Sequence, residues 1–357
     1  MSRGSESDRT ELPAPGALPV IFYLAGEPDL ERFTRLDPDA DHDDFRPGEH
    51  SWVAQTFLRL RNAGYPVELS DKLPASGLVV FHAKHKHALA RAARGCPGLV
   101  FVGIRADNSS PLLADFEVVQ SGYYADRRSR FWITFWPQPG LRPRDPARGT
   151  TLERVAYMGR IENLHAEFRD ESWRRALAAM GIEWVLQEVR FERSPAGPKV
   201  DVSARTAPID WEDYSSVDAV LAVRPFDRHL RYSKPASKLI NAWRGRLPAL
   251  LGPEFAFQEI RRSDEDYFEV ADASSALAAL RTLRSDPELY RRMIANGVAR
   301  APEYSFEALT QRWAELLFET LPQRIADGGL PWSHRLPQSV RLPLRRALRL
   351  LRAQRSR

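Results

Sequence analysis

Apolar runs of six or seven residues alternate with amphipathic stretches along most of this chain, and that alternation decides its fold class. Pro19–Leu24 (PVIFYL), Gly77–His82 (GLVVFH) and Gly98–Ile104 (GLVFVGI) are apolar on both alternating faces. A strand of that kind is buried on both sides, as in a parallel sheet covered by helices. Ser51–Ala63 carries apolar residues at helical spacing and stops at Gly64, and Ala88–Ala93 reads as a second helix. Pro66–Leu69 and Phe116–Gln120 add two strands. Strand–helix–strand order implies right-handed crossovers in a parallel sheet.

Phe131–Trp136 (FWITFW) reads as a last strand, and Pro137-Gln138-Pro139-Gly140 ends it. Pro143, Pro146 and Gly149 then stand among charges, which marks 142–150 as a stiff linker between two domains, 18–141 and 151–305. Beyond it the pattern restarts. Arg154–Met158 is a strand with Gly159-Arg160 as the loop behind it, and Glu171–Met180 is a helix closed by Gly181. Glu183–Val189, Val217–Val223 and Asp266–Val270 are strands. Ser274–Leu283 reads as a serine-capped helix, and Pro287 opens another that Gly297 closes. Phe306–Leu321 is amphipathic. Residues 1–17 are polar and read as a disordered tail.

Composition excludes several classes. Hydrophobic content of 43% and charged content of 28% over 357 residues suit a globular protein with two cores. No run approaches the roughly 18 apolar residues of a membrane span, and Met1–Pro19 has no signal-peptide core. The single cysteine, Cys96, excludes an intrachain disulfide and a multi-cysteine zinc site. These features predict a cytoplasmic protein. The net charge of +5 is misleading, because Ser339–Arg357 holds seven arginines and no acid, which leaves the remainder at −2. A near-neutral body with no basic stripe argues against nucleic acid as partner.

The most specific stretch is Lys234–Gly252, KPASKLINAWRGRLPALLG. Two lysines and a serine lead into a short helical pattern, which Gly245 and Pro248 break before an apolar strand. In an open α/β sheet the ligand sits beyond the carboxyl ends of the strands, at such helix starts. Exposed backbone N–H groups and the helix dipole favour an anion there, and Lys234 and Lys238, four apart, would share a face. A diphosphate fits that charge better than one carboxylate. A solvated basic turn is the alternative.

SKLINAWRGRLPALLG resembles the (S/T)KLxExxAxGxPVI segment of nucleotide-sugar-dependent glycosyltransferases with the GT-B fold, especially the retaining family 4 enzymes. The resemblance implies two Rossmann-like domains facing each other across a cleft, 18–141 for the acceptor and 151–305 for the nucleotide sugar, with a helix at 306–325 crossing back. It assigns the donor diphosphate to Lys238, places Ser237 in the nucleotide-sugar site, and gives the donor ribose to the position held here by Asn241 instead of glutamate. Ser233 stands where a second glutamate is common. A Gly-Arg pair after the domain's first strand, here Gly159 and Arg160, would face the phosphates. Arg224 and Glu254, in the turns after their strands, complete the expected nucleotide-sugar set. Lys234, Lys238 and Arg160 would stabilise the leaving diphosphate.

His50, His82 and Asp107 stand near the ends of first-domain elements and are the acceptor-side candidates, with His50 or His82 as general base if the enzyme inverts. A satisfied or exposed histidine is the alternative at each. His82–His87 (HAKHKH) reads as a cationic loop, and the five aspartates with His42 in Asp37–Asp44 as a solvated acidic one. Pro343–Ala353, in the tail segment 326–357, has Leu344, Leu348 and Leu351 at helical spacing among arginines. That is a basic amphipathic helix suited to an anionic membrane surface, on the inner face of the membrane. The expected activity is metal-independent transfer of a hexosyl group from a nucleotide-diphosphate sugar to a cell-surface glycan or lipid-linked acceptor, with no resident cofactor. A GT-B-like binding protein without turnover, or a nucleotide-sugar epimerase, would share these features.

Overall fold

In a computed structural model, the described residues are 18–355 apart from 46, 94–97, 190, 194–198, 202–210 and 337. The N-terminal residues read as disordered, and Cys96, lie outside them. The chain forms two compact α/β units. The first contains residues up to Gln120, Tyr124–Ile133 and Leu309–Arg357, and the second Ser121–Tyr123 and Thr134–Ala308.

The first unit is a parallel six-stranded sheet built from β1 (Val20–Tyr23), β2 (Val67–Ser70), β3 (Ser76–His82), β4 (Gly98–Ile104), β5 (Phe116–Val119) and β6 (Arg130–Trp132), in the order β2-β1-β3-β4-β5-β6. Phe22 packs against Phe57, and Phe81 against Phe101, inside the fully buried centre that the apolar runs predict. The first unit's helices are α1 (Leu30–Phe33), α2 (Gln55–Asn62) and α3 (Lys86–Ala92). A π-helical turn, His50–Ala54, precedes α2, so His50 lies in the helical segment and not before it. The predicted strand over FWITFW stops at Trp132. Ile133 still bonds to Val119, but Thr134 already belongs to the second unit, where Trp136 packs on Phe306.

The second unit holds β7 (Arg154–Arg160), β8 (Glu183–Val189), an antiparallel pair β9 (Phe191–Arg193) and β10 (Lys199–Asp201), then β11 (Ala219–Ala222), β12 (Ala249–Leu251) and β13 (Phe268–Glu269). Its five-stranded parallel sheet has the order β13-β12-β11-β7-β8. Each unit is thus a Rossmann-like parallel α/β layer, as the apolar runs predict. Gly159 and Arg160 belong to β7 and not to a loop, because the seven-residue β8 pairs with β7 through Arg160. The helices are α4 (Glu171–Ala179), α5 (Arg228–Ser233), α6 (Ser237–Arg244), α7 (Phe255–Gln258), α8 (Ala273–Ser285) and α9 (Pro287–Arg300). Asp272, not Ser274, caps α8, in a capping box with Ser275. Gly297 lies inside α9 and does not end it. A Cβ there would come within 2.8 Å of the Trp243 ring, so the glycine allows α9 to approach α6.

Arg142–Gly149, proline-rich in sequence, is fixed to the second unit. Arg142 pairs with Asp213, and Arg144, only 3% exposed in its side chain, binds the fully buried Asp218. Helix α10 (Phe306–Ala314) runs through a π-helical turn, Glu315–Thr320, into α11 (Leu321–Ala326), where Pro322 lacks a backbone donor. Tyr65 stacks on Phe318 and seats this segment on the first unit.

The tail forms α12 (Gln338–Arg355), and its first turns are packed down rather than solvated. Arg341 and Arg345 both pair with the buried Asp115, Arg345 at 3.0 Å, and His334 approaches the same carboxylate at 3.2 Å. Arg345 also donates to the carbonyls of Leu112, Leu113 and Ala114, and Leu342 packs on the Phe81–Phe101–Leu113 cluster. Burial alone would raise the Asp115 carboxyl. The His334 hydrogen bond and the two guanidinium charges outweigh it and hold that carboxyl far below its ordinary range. The acidic run Asp37–Asp44 is also partly consumed: Asp39 pairs with Arg59, Asp44 with Arg32, and Asp37 accepts from its own turn.

Candidate functional site

In the second unit the first strand, β7, lies between β8 and β11, so the strand order reverses at the β7/β11 junction. Side chains beyond the carboxyl ends of those two strands face the ligand crevice of such a sheet. Arg224 follows β11, Gly159 and Arg160 end β7, and α6 begins with Ser237 and Lys238. The Lys238 ammonium donates to the Met158 carbonyl in β7 and lies 5.8 Å from the Tyr157 ring centre and 5.9 Å from that of Trp211. A Cβ on Gly159 would sit 3.3 Å from the Lys238 nitrogen and 3.0 Å from the Tyr157 hydroxyl, so glycine keeps this strand end open to the lysine.

Glu254, directly before α7, is 4% exposed and ion-paired through Oε2 to Arg224. Its other oxygen, Oε1, is buried and accepts no hydrogen bond. Burial pushes the Glu254 carboxyl up, against the pull of Arg224, Lys234 and Lys238. Burial and the Arg224 charge lower the Lys238 ammonium to about 7, against the pull of Glu254. Three cations and one carboxylate therefore meet at the switch point with a carboxylate oxygen unsatisfied and a lysine poised to gain a proton. That is an imbalance an arriving anion would correct.

Asn241 lies deeper, on the buried face of α6. Its Oδ1 accepts the Gln138 backbone N–H at 3.0 Å, and its side chain bonds the Tyr214 hydroxyl. A ribose contact, as the resemblance implies, would have to displace these bonds. The Ser233 hydroxyl donates to the His229 carbonyl at 2.5 Å. Arg160 is exposed, and its carbonyl accepts from the Tyr157 hydroxyl at 2.7 Å.

In the first unit the order reverses at β1/β3, and the histidines gather there. His82 ends β3, is 4% exposed, and accepts the Lys84 N–H on Nδ1 at 3.3 Å. Burial lowers it to about 4, so it is a neutral ring with its hydrogen on Nε2, a donor rather than a base. His50 has both nitrogens near oxygen, Nε2 at 3.1 Å from Glu27 and Nδ1 at 3.3 Å from the Asp44 carbonyl. His85 has an Nε2 buried without a hydrogen-bond partner, and burial lowers its pKa. It looked like one more cation of HAKHKH; only the burial around α3 sets it apart. Glu259, at the end of α7, is a second such residue. Burial lifts it to about 8 although Oε2 accepts the Gly122 N–H at 2.7 Å.

No protein-family model and no curated protein sequence matches the chain. Among solved structures, the chain is similar to HepE from Anabaena in complex with UDP and glucose, at 15% identity and a TM-score of 0.49 over 84% of this chain and 99% of that one. It is also similar to TarM, at 10% identity and a TM-score of 0.48 over 74% of this chain, and it spans 58% of TarM's length. A third similarity is to the pneumococcal O-GlcNAc transferase GtfA in complex with UDP and GlcNAc, at 11% identity and a TM-score of 0.47, over 75% of this chain and 60% of that one.

Proposed function

We propose that this chain is a glycosyltransferase that moves a hexosyl group from a nucleotide-diphosphate sugar to a glycan or lipid-linked acceptor. The observation that carries this reading is the Lys238–Arg224–Glu254 cluster at the β7/β11 switch point, with Gly159 leaving the strand end open. In this reading Lys238, Lys234, Arg160 and Ser237 hold the diphosphate, and Arg224 keeps Glu254 in place. Cations preorganised around the leaving group are worth most in the transition state, where charge builds on the departing diphosphate. Lys238 takes up its proton as the anion arrives, so its charge is present when needed and its burial is no longer costly. No metal is required for this charge balance.

The acceptor falls to the first unit. There His82 donates to an acceptor hydroxyl from Nε2, while the ring nitrogen left over for base work is Nε2 of His85. A second reading, a sugar-nucleotide binding protein without turnover, is favoured by Ser233 and by the engaged amide of Asn241. A thermal-shift screen of nucleoside diphosphates and their sugars, followed by release of nucleoside diphosphate from the donor that stabilises, separates the two. Stabilisation with release supports transfer, and stabilisation without release under any acceptor supports the binding protein. No stabilisation by any diphosphate sinks both.

A further inference from the structure

We propose that the first unit carries a docking surface for an anionic lipid bilayer, formed by the Trp332 turn and helix α12. This inference does not rest on the glycosyl-transfer reading and holds or fails whatever the substrate. Two side chains there are conspicuously uncovered: Trp332 is 64% exposed and Val340 51% exposed. An exposed tryptophan beside a basic helix is the pairing that favours a membrane interface, since the ring sits at headgroup depth and the cations meet the anionic heads.

The Asp115 anchor determines which arginines serve which purpose. Arg341 and Arg345 are turned onto Asp115 and the carbonyls around it, and Arg345 also donates to Ser333 beside Trp332 at 2.9 Å. They fix the Trp332 turn and the start of α12 to the first unit. Beyond Arg345 the sequence has five more arginines, Arg346, Arg349, Arg352, Arg355 and Arg357, and no acid; Arg346 is exposed. The occupant this charge calls for is polyanionic, and the uncovered Trp332 and Val340 call for an apolar layer beneath the charge. A bilayer supplies both; a nucleic acid supplies only the first.

The test is co-sedimentation of the full chain with phosphatidylcholine vesicles, with or without phosphatidylglycerol, at low salt. Binding to the anionic vesicles alone is expected. The Arg349→Gln, Arg352→Gln, Arg355→Gln triple variant should bind about a hundredfold more weakly, taking roughly 1 kcal/mol for each arginine near anionic lipid. Trp332→Ala should bind about tenfold more weakly, with melting unchanged because the ring is mostly outside the fold. Arg341 and Arg345 are not used, because removing either would leave Asp115 short of a partner and confound folding with binding. Equal binding to neutral vesicles, or no binding to anionic ones, overturns the proposal. So does single-stranded RNA that displaces the vesicles while Trp332→Ala leaves both affinities unchanged.

Discussion

Two buried charge clusters in the second unit, both next to β11, behave in opposite ways. Around Asp218 every valence is filled. Its carboxylate accepts from Arg144, from Arg148 on both oxygens, and from the backbone N–H groups of Glu153 and Arg154 at 2.9 Å. Burial would raise this carboxyl, but the Arg148 hydrogen bond and the others pull it below its ordinary range. Around Glu254 the same ingredients are left unbalanced: the carboxyl is raised, the lysine is lowered to about 7, and Oε1 has no partner. A satisfied network rigidifies the fold, whereas an unsatisfied one costs stability and is kept where a ligand completes it. The first cluster is architecture and the second is the candidate site.

The largest effect should come from breaking the satisfied cluster. Asp218→Asn leaves Arg144 buried without its counter-charge and should cost about 3–5 kcal/mol in urea unfolding. A loss under 1 kcal/mol would mean the two clusters do not differ as described. Next, Lys238→Met should remove about 2–3 kcal/mol from nucleoside-diphosphate binding by calorimetry. The same variant should leave stability unchanged or raise it by about 1–2 kcal/mol, because it removes an ammonium that burial disfavours. A variant that lost both stability and binding would make Lys238 architectural.

The pH dependence of binding sharpens the contrast. Lys238 titrates near 7 in the free protein and must be charged to hold an anion. Diphosphate affinity should therefore be greatest below pH 7 and fall as pH rises, by up to about tenfold per unit. Glu254, raised and next to the anion, runs in the same direction. For stability the sign is also fixed: an ammonium lowered by folding costs stability at neutral pH, and the cost is relieved as pH rises from about 7 towards the unfolded value. Affinity that stays flat from pH 6 to 9 would contradict the assignment. The smallest effect belongs to Gly159→Ala, whose methyl would crowd the Tyr157 hydroxyl and Lys238. It should weaken diphosphate binding by about 1 kcal/mol, with little change in melting temperature.

The fold class was legible from the apolar runs, because a strand buried on both faces has few alternatives to a covered parallel sheet. The cationic helix start was legible too, since Lys238 lies in the first turn of α6. What each residue does there was not. Asn241 stands where the resemblance puts the ribose contact, and only the structure shows its Oδ1 accepting the Gln138 N–H and the Ser233 hydroxyl donating to the His229 carbonyl. Gly297 read as a helix end, and packing against Trp243 made it a helix interior. His85 looked ordinary, and only the burial of its Nε2 without a hydrogen-bond partner distinguishes it.

By itself the sequence determined the two α/β units, the strand runs that form their sheets, and the cationic turn at Lys234–Lys238. Those follow from periodicity and local chemistry, which neighbouring residues carry between them. Only the tertiary structure decided which charges are paid off and which are left over. Arg341 and Arg345 meet Asp115 across more than two hundred residues, and Arg144 meets Asp218 across 74. A residue's burial and partners come from chain segments far away in sequence, so no local pattern could state whether its charge was spent on the fold or kept for a ligand.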